Sequence, residues 1–154
     1  MDNKTKIVAA TPSDLSDVLE LLTAVNLPHD GVREYLDSFL LMRDSEDRLI
    51  GCAGLEQYEG VGLLRSVAVA PHLQKTGSGS RLVAATFERA RSAGLKELVL
   101  LTTTAHDFFA QRFGFVDADR TDYERILAQS PEWTLPRCSS AAFMRLDLSA
   151  DAHT

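Results

Sequence analysis

Residues 61–93 read VGLLRSVAVAPHLQKTGSGSRLVAATFERARSA, and this stretch decides the fold. Its first nine residues are mostly apolar, which predicts a strand over 61–69, and Pro71 stops that strand. A loop with two glycines follows over residues 74–79. The segment 80–93 then carries apolar side chains at helical spacing, which predicts an amphipathic helix closed by Gly94. The apolar positions of this helix are Leu82, Val83, Phe87 and Ala90.

The loop over residues 74–79 has the composition of an anion-binding turn. Gly77 and Gly79 let the backbone turn tightly and approach a ligand closely. The loop amides and the helix N-terminus aim N–H groups at one point, which suits a pyrophosphate. Lys75 and Arg81 add positive charge in a chain whose formal net charge is −6. A second interpretation stays open: a glycine-rich turn that only connects a strand to a helix.

The rest of the chain alternates apolar runs with polar turns. Three antiparallel strands are predicted in succession over residues 39–42, 48–58 and 61–69, and residues 98–101 form an apolar run typical of buried parallel strands. The predicted order is β-α-α-β-β-β-α-β-α-β-(α)-β, an α/β (α+β) fold with a mixed sheet and helices on its faces. The other predicted helices cover residues 11–27, 32–38, 105–113 and 123–129, and the other predicted strands cover residues 7–10, 97–102, 115–118 and 141–148.

The composition limits the class of protein. A chain of 154 residues that is 45% hydrophobic and 25% charged predicts one domain over 1–154 and excludes a disordered chain. The acidic charge argues against a binder of nucleic acid or anionic membrane. Residues 1–6 are polar and no apolar run approaches the roughly 18 residues of a membrane span, so we expect no signal peptide, no membrane and a cytoplasmic location. Cys52 and Cys138 show no metal-type spacing, so we expect no metal.

Three motifs resemble the GNAT N-acetyltransferase superfamily. Residues 74–79 match Q-x-x-G-x-G between a strand and a helix, residues 65–71 end in V-x-P, and residues 113–115 match [LF]-G-F. The resemblance covers the whole chain in element order and implies the GNAT fold, which is acyl-CoA N-acyltransferase-like. It also implies an acyltransferase that uses acetyl-CoA as cosubstrate, with direct attack by an amine. A Rossmann loop does not fit because Leu82 occupies the third glycine position, and G-K-[ST] of a Walker loop is absent.

A finer resemblance concerns the acceptor. Residues 54–56, 62–69, 100–105 and 138–141 are similar to the acetyltransferase-like subgroup encoded in bacterial arsenic-resistance operons. That similarity implies acetylation of the primary amine of a small molecule, such as an amino acid or an arsenic- or phosphorus-bearing analogue. Many relatives in the superfamily dimerise, so a homodimer is also expected.

The resemblance implies roles for the cofactor-binding residues. Residues 74–79 are expected to hold the pyrophosphate through backbone N–H groups. Val67 and Val69 are expected to pair with the pantetheine arm like an added strand. An amide from Val67 or a neighbour is expected to polarise the thioester carbonyl. The expected cofactor-binding residues are Val67, Ala68, Val69, Gln74, Lys75, Thr76, Gly77, Ser78, Gly79, Ser80, Thr102 and Phe109.

The catalytic candidates are Glu56, Arg65 and Ser66. Glu56 is either the general base, directly or through a water, or a solvated charge at the end of a strand. Arg65 lies within an apolar strand and therefore needs an anionic partner, either Glu56 or a carboxylate of the substrate. Many relatives carry a tyrosine where this chain has Ala110, and residues 105–115 contain none, so the general acid stays open.

Other interpretations of these residues and of the whole chain stay open as well. Phe109 is expected in the core and His106 at the surface, at the start of a helix. Because the tyrosine is missing and no base is secure, the chain could be a CoA-binding regulatory module without turnover. A third interpretation keeps the enzyme and makes the acceptor a protein or peptide amine.

Overall fold

A computed structural model describes residues 5–74, 76–131, 133 and 141–148. Strands and helices alternate along the chain, and short 3₁₀ turns connect several of them. The strands are β1 (Lys6–Ala9), β2 (Leu40–Arg43), β3 (Leu49–Tyr58), β4 (Val61–Val69), β5 (Glu97–Thr102), β6 (Val116–Asp117) and β7 (Ala142–Asp147). The helices are α1 (Leu15–Ala24), α2 (Ser78–Ser92), α3 (His106–Phe113) and α4 (Glu124–Leu127).

The strands form a mixed sheet in the order β1-β2-β3-β4-β5-β7-β6. Antiparallel pairing joins β1 to β2, β2 to β3, β5 to β7 and β6 to β7. Parallel pairing joins β4 to β5, which requires the long crossover that α2 supplies. The predicted α/β fold with a mixed sheet is confirmed.

The described chain divides into two compact units, Met1–Leu55 with Ser66–Arg89, and Glu56–Arg65 with Ala90–Thr154. The division falls inside β3, after Leu55, and inside β4, after Arg65. The expectation of one domain over 1–154 stays a prediction.

The first unit has an aliphatic core. Buried side chains of α1 and the strands pack with Leu82 at the start of α2 and with Phe39. The 3₁₀ turn over Pro12–Asp14, which leads into α1, begins with a capping box, in which the backbone N–H of Thr11 donates to Oδ2 of Asp14 at 2.8 Å. Oδ1 of the same carboxylate accepts from Arg43 Nη2 at 2.6 Å, so one aspartate ties the start of α1 to β2.

The second unit packs aromatic side chains on its part of the sheet. Val61, Leu63, Val99, Tyr123, Leu127 and Phe143 form a buried cluster, with Tyr58 and Trp133 packed against it. The rings of Tyr123 and Trp133 each meet Phe143 edge to face, at centroid distances of 5.1 and 5.2 Å. The segment that carries α4 is therefore fixed to β7 by its aromatic residues.

One predicted helix is absent from the structure, and another begins earlier than predicted. Residues 32–38 do not form the predicted helix; they form turns that end in a 3₁₀ turn over Leu36–Ser38. A segment this short has little helical stability of its own, and Val32 and Leu36 are buried without a helix. Helix α2 begins at Ser78 rather than at residue 80, so the last residues of the predicted loop belong to its first turn.

None of the helices in the described part of the chain is long and apolar enough to cross a bilayer. Within the same residues, no group of three or more His, Cys, Asp or Glu side chains is arranged to hold a metal ion.

Candidate functional site

The glycine loop connects β4 to α2 in the first unit. A 3₁₀ turn over Pro71–Leu73 follows β4, and the backbone at Gly77 takes the left-handed region, with φ of 93°. Ser78, Gly79 and Ser80 form the first turn of α2. The N–H groups of a first helical turn have no partner within the helix, and the helix dipole adds partial positive charge there. The loop therefore ends in a set of backbone donors suited to an anion.

Side chains of the loop hold its shape. Gln74 Nε2 donates to the carbonyl of Val69 at 3.2 Å. Thr76 Oγ1 donates to the carbonyl of Leu73 at 2.5 Å and lies 3.0 Å from Oγ of Ser78. The predicted cofactor residue Lys75 lies outside the described residues.

The two loop glycines have different reasons to be glycine. A Cβ on Gly77 would meet nothing within 4 Å, so only its positive φ disfavours a side chain. A Cβ on Gly79 would lie 3.6 Å from Val69 Cγ2, which is an ordinary contact, and its φ is not in the left-handed region. The fold itself therefore tolerates alanine at Gly79, so a packing requirement does not explain the glycine.

The second half of β4 contains a backbone irregularity. Ser66 has φ of 56° in the middle of the strand, a conformation that costs a non-glycine residue about 1–3 kcal/mol. The residue types around Ser66 do not predict this conformation. Cys52 Sγ donates to the carbonyl of Ser66 at 3.3 Å. Beyond Ser66, Val67 and Val69 are half-buried and Ala68 is buried.

The pairing of β4 with β5 is short. It aligns Val61 with Glu97, Gly62 with Leu98 and Leu63 with Val99. The predicted pantetheine-pairing residues, Val67 and Val69, lie further along β4 than these pairs.

Glu56 and Arg65 form a buried ion pair in the second unit. Arg65 Nη1 donates to Oε2 of Glu56 at 2.8 Å, and both side chains are completely excluded from solvent. Tyr58 donates its phenolic O–H to Oε1 of the same carboxylate at 2.6 Å. Both carboxylate oxygens of Glu56 therefore accept a hydrogen bond from a neighbouring side chain. The expectation of a solvated strand-end charge at Glu56 is wrong, and the structure supplies Glu56 as the anionic partner of Arg65.

Sequence reasoning missed Tyr58 as part of this cluster. The signal was present in the alternation of a strand: residues two apart share a face, so Tyr58 lies on the same face as Glu56. We call Glu56, Tyr58 and Arg65 the β3–β4 triad. A second set with the same three residue types lies elsewhere in this unit and was also missed. There, Tyr123 donates to Glu97 Oε1 at 2.5 Å, and Arg145 Nε donates to the same oxygen at 3.1 Å.

The surroundings of this second set change the pKa of its tyrosine. Burial raises the pKa of the Tyr123 phenol, and the adjacent Glu97 carboxylate raises it further. Glu97 begins β5, and Arg145 pairs with Val99 of that strand across from it. We call Glu97, Tyr123 and Arg145 the β5–β7 triad.

Two predicted cofactor residues of the second unit have local structural contacts. Thr102 Oγ1 accepts from the backbone N–H of Ala105 at 2.9 Å and so shapes the turn before α3. Phe109 is 6% exposed and packs edge to face on Phe115, with centroids 5.5 Å apart, which confirms its expected place in the core. Their assignment to the cofactor stays a prediction.

His106 begins α3 and is half-exposed, which confirms its expected surface position. Its Nε2 lies 2.9 Å from Oδ1 of Asp117, and its Nδ1 lies 3.4 Å from Asp107. Hydrogen bonds to Asp117 and then to Asp107 raise the pKa of His106 above its usual 6.5. Asp117 also borders an open cleft of about 580 Å³, lined by Asp117, Ala118, Asp119, Arg120, Ala141 and Phe143.

The predicted site residues therefore fall into two groups, each described within its own unit. The first unit holds Ser66, the end of β4 and the glycine loop, and it brings the loop directly onto the helix N-terminus. The second unit holds Glu56 and Arg65, which it joins, together with Thr102 and Phe109. Cys138, Ser139 and Ser140 lie outside the described residues.

Comparison with known proteins gives a family match. The model of the "Acetyltransferase (GNAT) family" matches residues 14–115. The amino-acid acetyltransferase of Ralstonia nicotianae is 39% identical over 123 residues, which is 73% of this chain and 27% of that protein. The amino-acid acetyltransferase of Aeromonas salmonicida is 32% identical over 115 residues, covering 68% of this chain and 25% of that protein. The chain thus spans about a quarter of the length of these relatives.

Solved structures agree in fold. N-acetylglutamate synthase from Neisseria gonorrhoeae, complexed with coenzyme A and L-arginine, aligns with a TM-score of 0.75 at 24% identity, over 93% of this chain and 33% of that one. Rv2747 from Mycobacterium tuberculosis, in complex with CoA, aligns with a TM-score of 0.74 at 20% identity, over 92% of this chain and 98% of that one. At these identities the likeness is one of fold.

Proposed function

The chain belongs to the GNAT acetyltransferase family, and from that premise we propose that it is an acetyl-CoA-dependent N-acetyltransferase acting on the primary amine of an amino acid. The observation that carries the proposal is the glycine loop on the N-terminus of α2, where backbone donors gather with no side chain at Gly77 or Gly79 to block them. A loop that only connected β4 to α2 would not need a glycine at residue 79.

The loop residues fit the pyrophosphate of acetyl-CoA. The first turn of α2 offers backbone N–H groups, and the hydroxyls of Thr76 and Ser78 lie beside them. The absence of a side chain at Gly79 allows a ligand to approach the backbone. We propose that Gln74, Lys75 and Ser80 complete this binding segment, with Gln74 bracing it against Val69.

Acetyl-CoA, when bound, supplies the acetyl group as a thioester. In the proposed reaction a C–N bond forms as the neutral amine attacks the thioester carbonyl, and the C–S bond breaks to release the CoA thiolate. The amine must first lose the ammonium proton to a base, and the nitrogen loses a second proton, to the released thiolate or to water, as the amide forms. The thiolate leaves without obligatory protonation because a thiol pKa of about 8.5 makes it a stable leaving group near neutral pH.

The end of β4 is proposed to hold the reacting end of the cofactor. Backbone groups of Val67 and Val69 would pair with the pantetheine arm, beside Ala68. An amide after Ser66 would polarise the thioester carbonyl. The left-handed φ of Ser66 redirects the chain just before this amide, which is the kind of backbone strain that accompanies functional sites.

The acceptor class rests on the relatives. The Ralstonia nicotianae and Aeromonas salmonicida proteins are amino-acid acetyltransferases, and we propose the same substrate class here, including arsenic- or phosphorus-bearing analogues. Glu56, Arg65 and Ser66 are the proposed polar residues of the catalytic step, and Thr102 and Phe109 stay proposed cofactor neighbours. A cytoplasmic location and a homodimer stay predictions.

The test is calorimetric titration of acetyl-CoA into the purified chain and two matched variants. Gly77→Ala and Gly60→Ala impose the same backbone strain, because the φ values are 93° and 85° and neither new Cβ would meet an atom within 4 Å. We expect wild type and Gly60→Ala to bind alike and Gly77→Ala to bind at least about tenfold more weakly. Equal weakening in both variants, or no binding to wild type, would reject the cofactor site.

Thiol release with a panel of free amino acids and short peptides then tests the reaction. Release with amino acids supports the proposal, and release with peptides alone moves the acceptor to a protein amine. Acetyl-CoA binding without release across the panel identifies a regulatory module without turnover.

A further inference from the structure

We propose that the β3–β4 triad is a positioning network for the transfer reaction, in which Tyr58 fixes Glu56, Glu56 fixes Arg65, and Arg65 fixes the backbone of β4 just before Ser66. The proposal rests on the proposed function for its kinetic consequence, and on geometry for everything else. It assigns a role to Tyr58 and makes Glu56 and Arg65 positioning residues rather than the base and a substrate ligand.

The contacts and the burial of Glu56 disfavour a role as the base that removes the ammonium proton. One carboxylate oxygen accepts from Tyr58 at 2.6 Å, the other accepts from Arg65 at 2.8 Å, and the side chain is completely buried. A base must reach the proton that it removes, directly or through a water. Because the Glu56 side chain has no solvent-accessible surface, an amine or a relaying water reaches it only if neighbouring side chains move.

Stability alone does not explain why the ion pair of Glu56 and Arg65 is buried. Removing both charges from water is costly, and an apolar pair of similar volume is often equally stable in such a place. An apolar side chain would also suit position 65 of β4, because the nearby Leu63 and Leu64 are buried aliphatic residues. An ion pair differs from two leucines because it fixes the orientation of its side chains, since the guanidinium binds the carboxylate only in defined geometries.

The orientation of Arg65 matters because Ser66 follows it directly in β4. Arg65 directly precedes Ser66, where the backbone leaves the extended conformation with φ of 56°. An irregularity within a strand can move to a neighbouring residue unless the residue before it is held in place. The carboxylate of Glu56 on β3 holds the Arg65 side chain, and the phenol of Tyr58 holds the carboxylate. The amide that follows Ser66 is therefore delivered in one orientation.

The chain contains its own control. The β5–β7 triad has the same Tyr, Glu and Arg residue types and the same donation from a phenol to a carboxylate, at 2.5 Å. Glu97 and Arg145 lie in regular pairing between β5 and β7, and the residues beside them have no left-handed φ. Tyr58→Phe and Tyr123→Phe therefore each delete a phenol-to-carboxylate hydrogen bond within one unit, and only the first site precedes the irregular strand. The β5–β7 triad differs in that its ion pair is partly exposed and Arg145 Nε also donates to the Tyr123 hydroxyl at 3.0 Å.

The experiment compares these two variants with wild type by steady-state kinetics and by ¹H–¹⁵N spectra of the full chain. We expect Tyr58→Phe to lower kcat about tenfold or more with KM for acetyl-CoA unchanged, because a hydrogen bond to a charged group is lost and a transition-state contact is misplaced. We expect the amide signals of residues 66–69 to shift in Tyr58→Phe. Tyr123→Phe should change neither kcat nor those signals.

Each result decides the proposal. Equal effects of the two variants on kcat, or a Tyr58→Phe variant that raises KM for acetyl-CoA instead of lowering kcat, would overturn it. If wild type shows no turnover, the proposed function fails, and the amide signals of residues 66–69 still test the network. Unshifted signals in a folded Tyr58→Phe would then reject it.

Discussion

Nη1 of Arg65 lies 2.8 Å from Oε2 of Glu56, and neither side chain is accessible to solvent. The two residues come from adjacent strands of a β-hairpin and are joined by a two-residue turn, so little chain entropy is needed to bring them together. Their charges cancel inside an apolar environment, which makes each charge dependent on the other.

Removing one partner of this pair should be costly. We expect Arg65→Met to lower the free energy of unfolding by about 3–5 kcal/mol, because it leaves the Glu56 carboxylate buried with its main counter-charge removed. Urea unfolding monitored by circular dichroism measures the change. The control is Arg125→Met, which breaks the exposed pair with Glu59, with 78% and 64% side-chain exposure, and should cost at most about 1 kcal/mol.

A double variant separates charge from packing. Glu56→Leu combined with Arg65→Met removes both charges and should recover much of the loss seen in Arg65→Met. A double variant that is as unstable as the sum of its single variants would contradict this interpretation and show that packing alone sets the cost.

Gly79 allows a test in which stability and ligand binding change in opposite directions. We expect Gly79→Ala to raise the free energy of unfolding by about 0.4–1 kcal/mol, because the new methyl group makes an ordinary contact with Val69 and the unfolded chain loses freedom. The same methyl group stands where the pyrophosphate should approach the first turn of α2, so acetyl-CoA binding should weaken at least about tenfold.

The matched ligand for this test is S-acetyl-pantetheine, which lacks the pyrophosphate. Calorimetry should find that its affinity is the same for wild type and for Gly79→Ala. Unchanged acetyl-CoA affinity in a variant of higher stability would mean that the loop is only a connection between β4 and α2.

The strand, loop and helix around residues 61–93 could be predicted because local chemistry determines them. Strand β4 has the predicted bounds, since an apolar run ended by Pro71 has few alternatives. The predicted helix over residues 32–38 failed because its spacing of apolar residues is equally compatible with a turn that buries Val32 and Leu36. Short segments follow tertiary packing more than their own pattern.

The candidate site was harder to predict because its contacts are not local. Arg65 needed an anion, and the sequence offered both Glu56 and an external carboxylate without a means to choose. The positive φ of Ser66 has no signal in a serine, because glycine or asparagine would be the usual residue there. Tyr58 was not predicted because the family pattern places the expected tyrosine within residues 105–115 rather than on the strand that carries Glu56.

His106 should make stability depend on pH. Its pKa is raised in the folded chain by Asp117 and then by Asp107, so folding favours the protonated imidazole. The stabilisation is therefore fully present below the unfolded pKa of about 6.5 and is lost as the pH rises through the higher folded pKa. We expect His106→Asn to lower the urea midpoint at pH 5.5 more than at pH 8.5.

The source of that shift can be checked directly. In Asp117→Asn the imidazole keeps only its longer contact with Asp107, so an NMR titration should show the pKa of His106 falling toward 6.5. A wild-type pKa at or below 6.5 would contradict the expected pH dependence, whatever the unfolding data show.

The pH dependence of turnover distinguishes a positioning role of Glu56 from a role as base. If Glu56 were the base, Glu56→Gln would remove the acidic limb of the kcat/KM profile, because that limb reports the ionisation of the base in the free enzyme. We expect instead that Glu56→Gln lowers kcat about ten- to hundredfold and leaves the acidic limb at its wild-type midpoint, since only orientation is lost. Glu97→Gln makes the same change in the β5–β7 triad and should leave both kcat and the limb unchanged.

If Glu56→Gln does not fold, Tyr58→Phe is measured in its place, because it removes a neutral hydroxyl and keeps the ion pair with Arg65. A limb that moves or disappears in either variant would return Glu56 to the role of base.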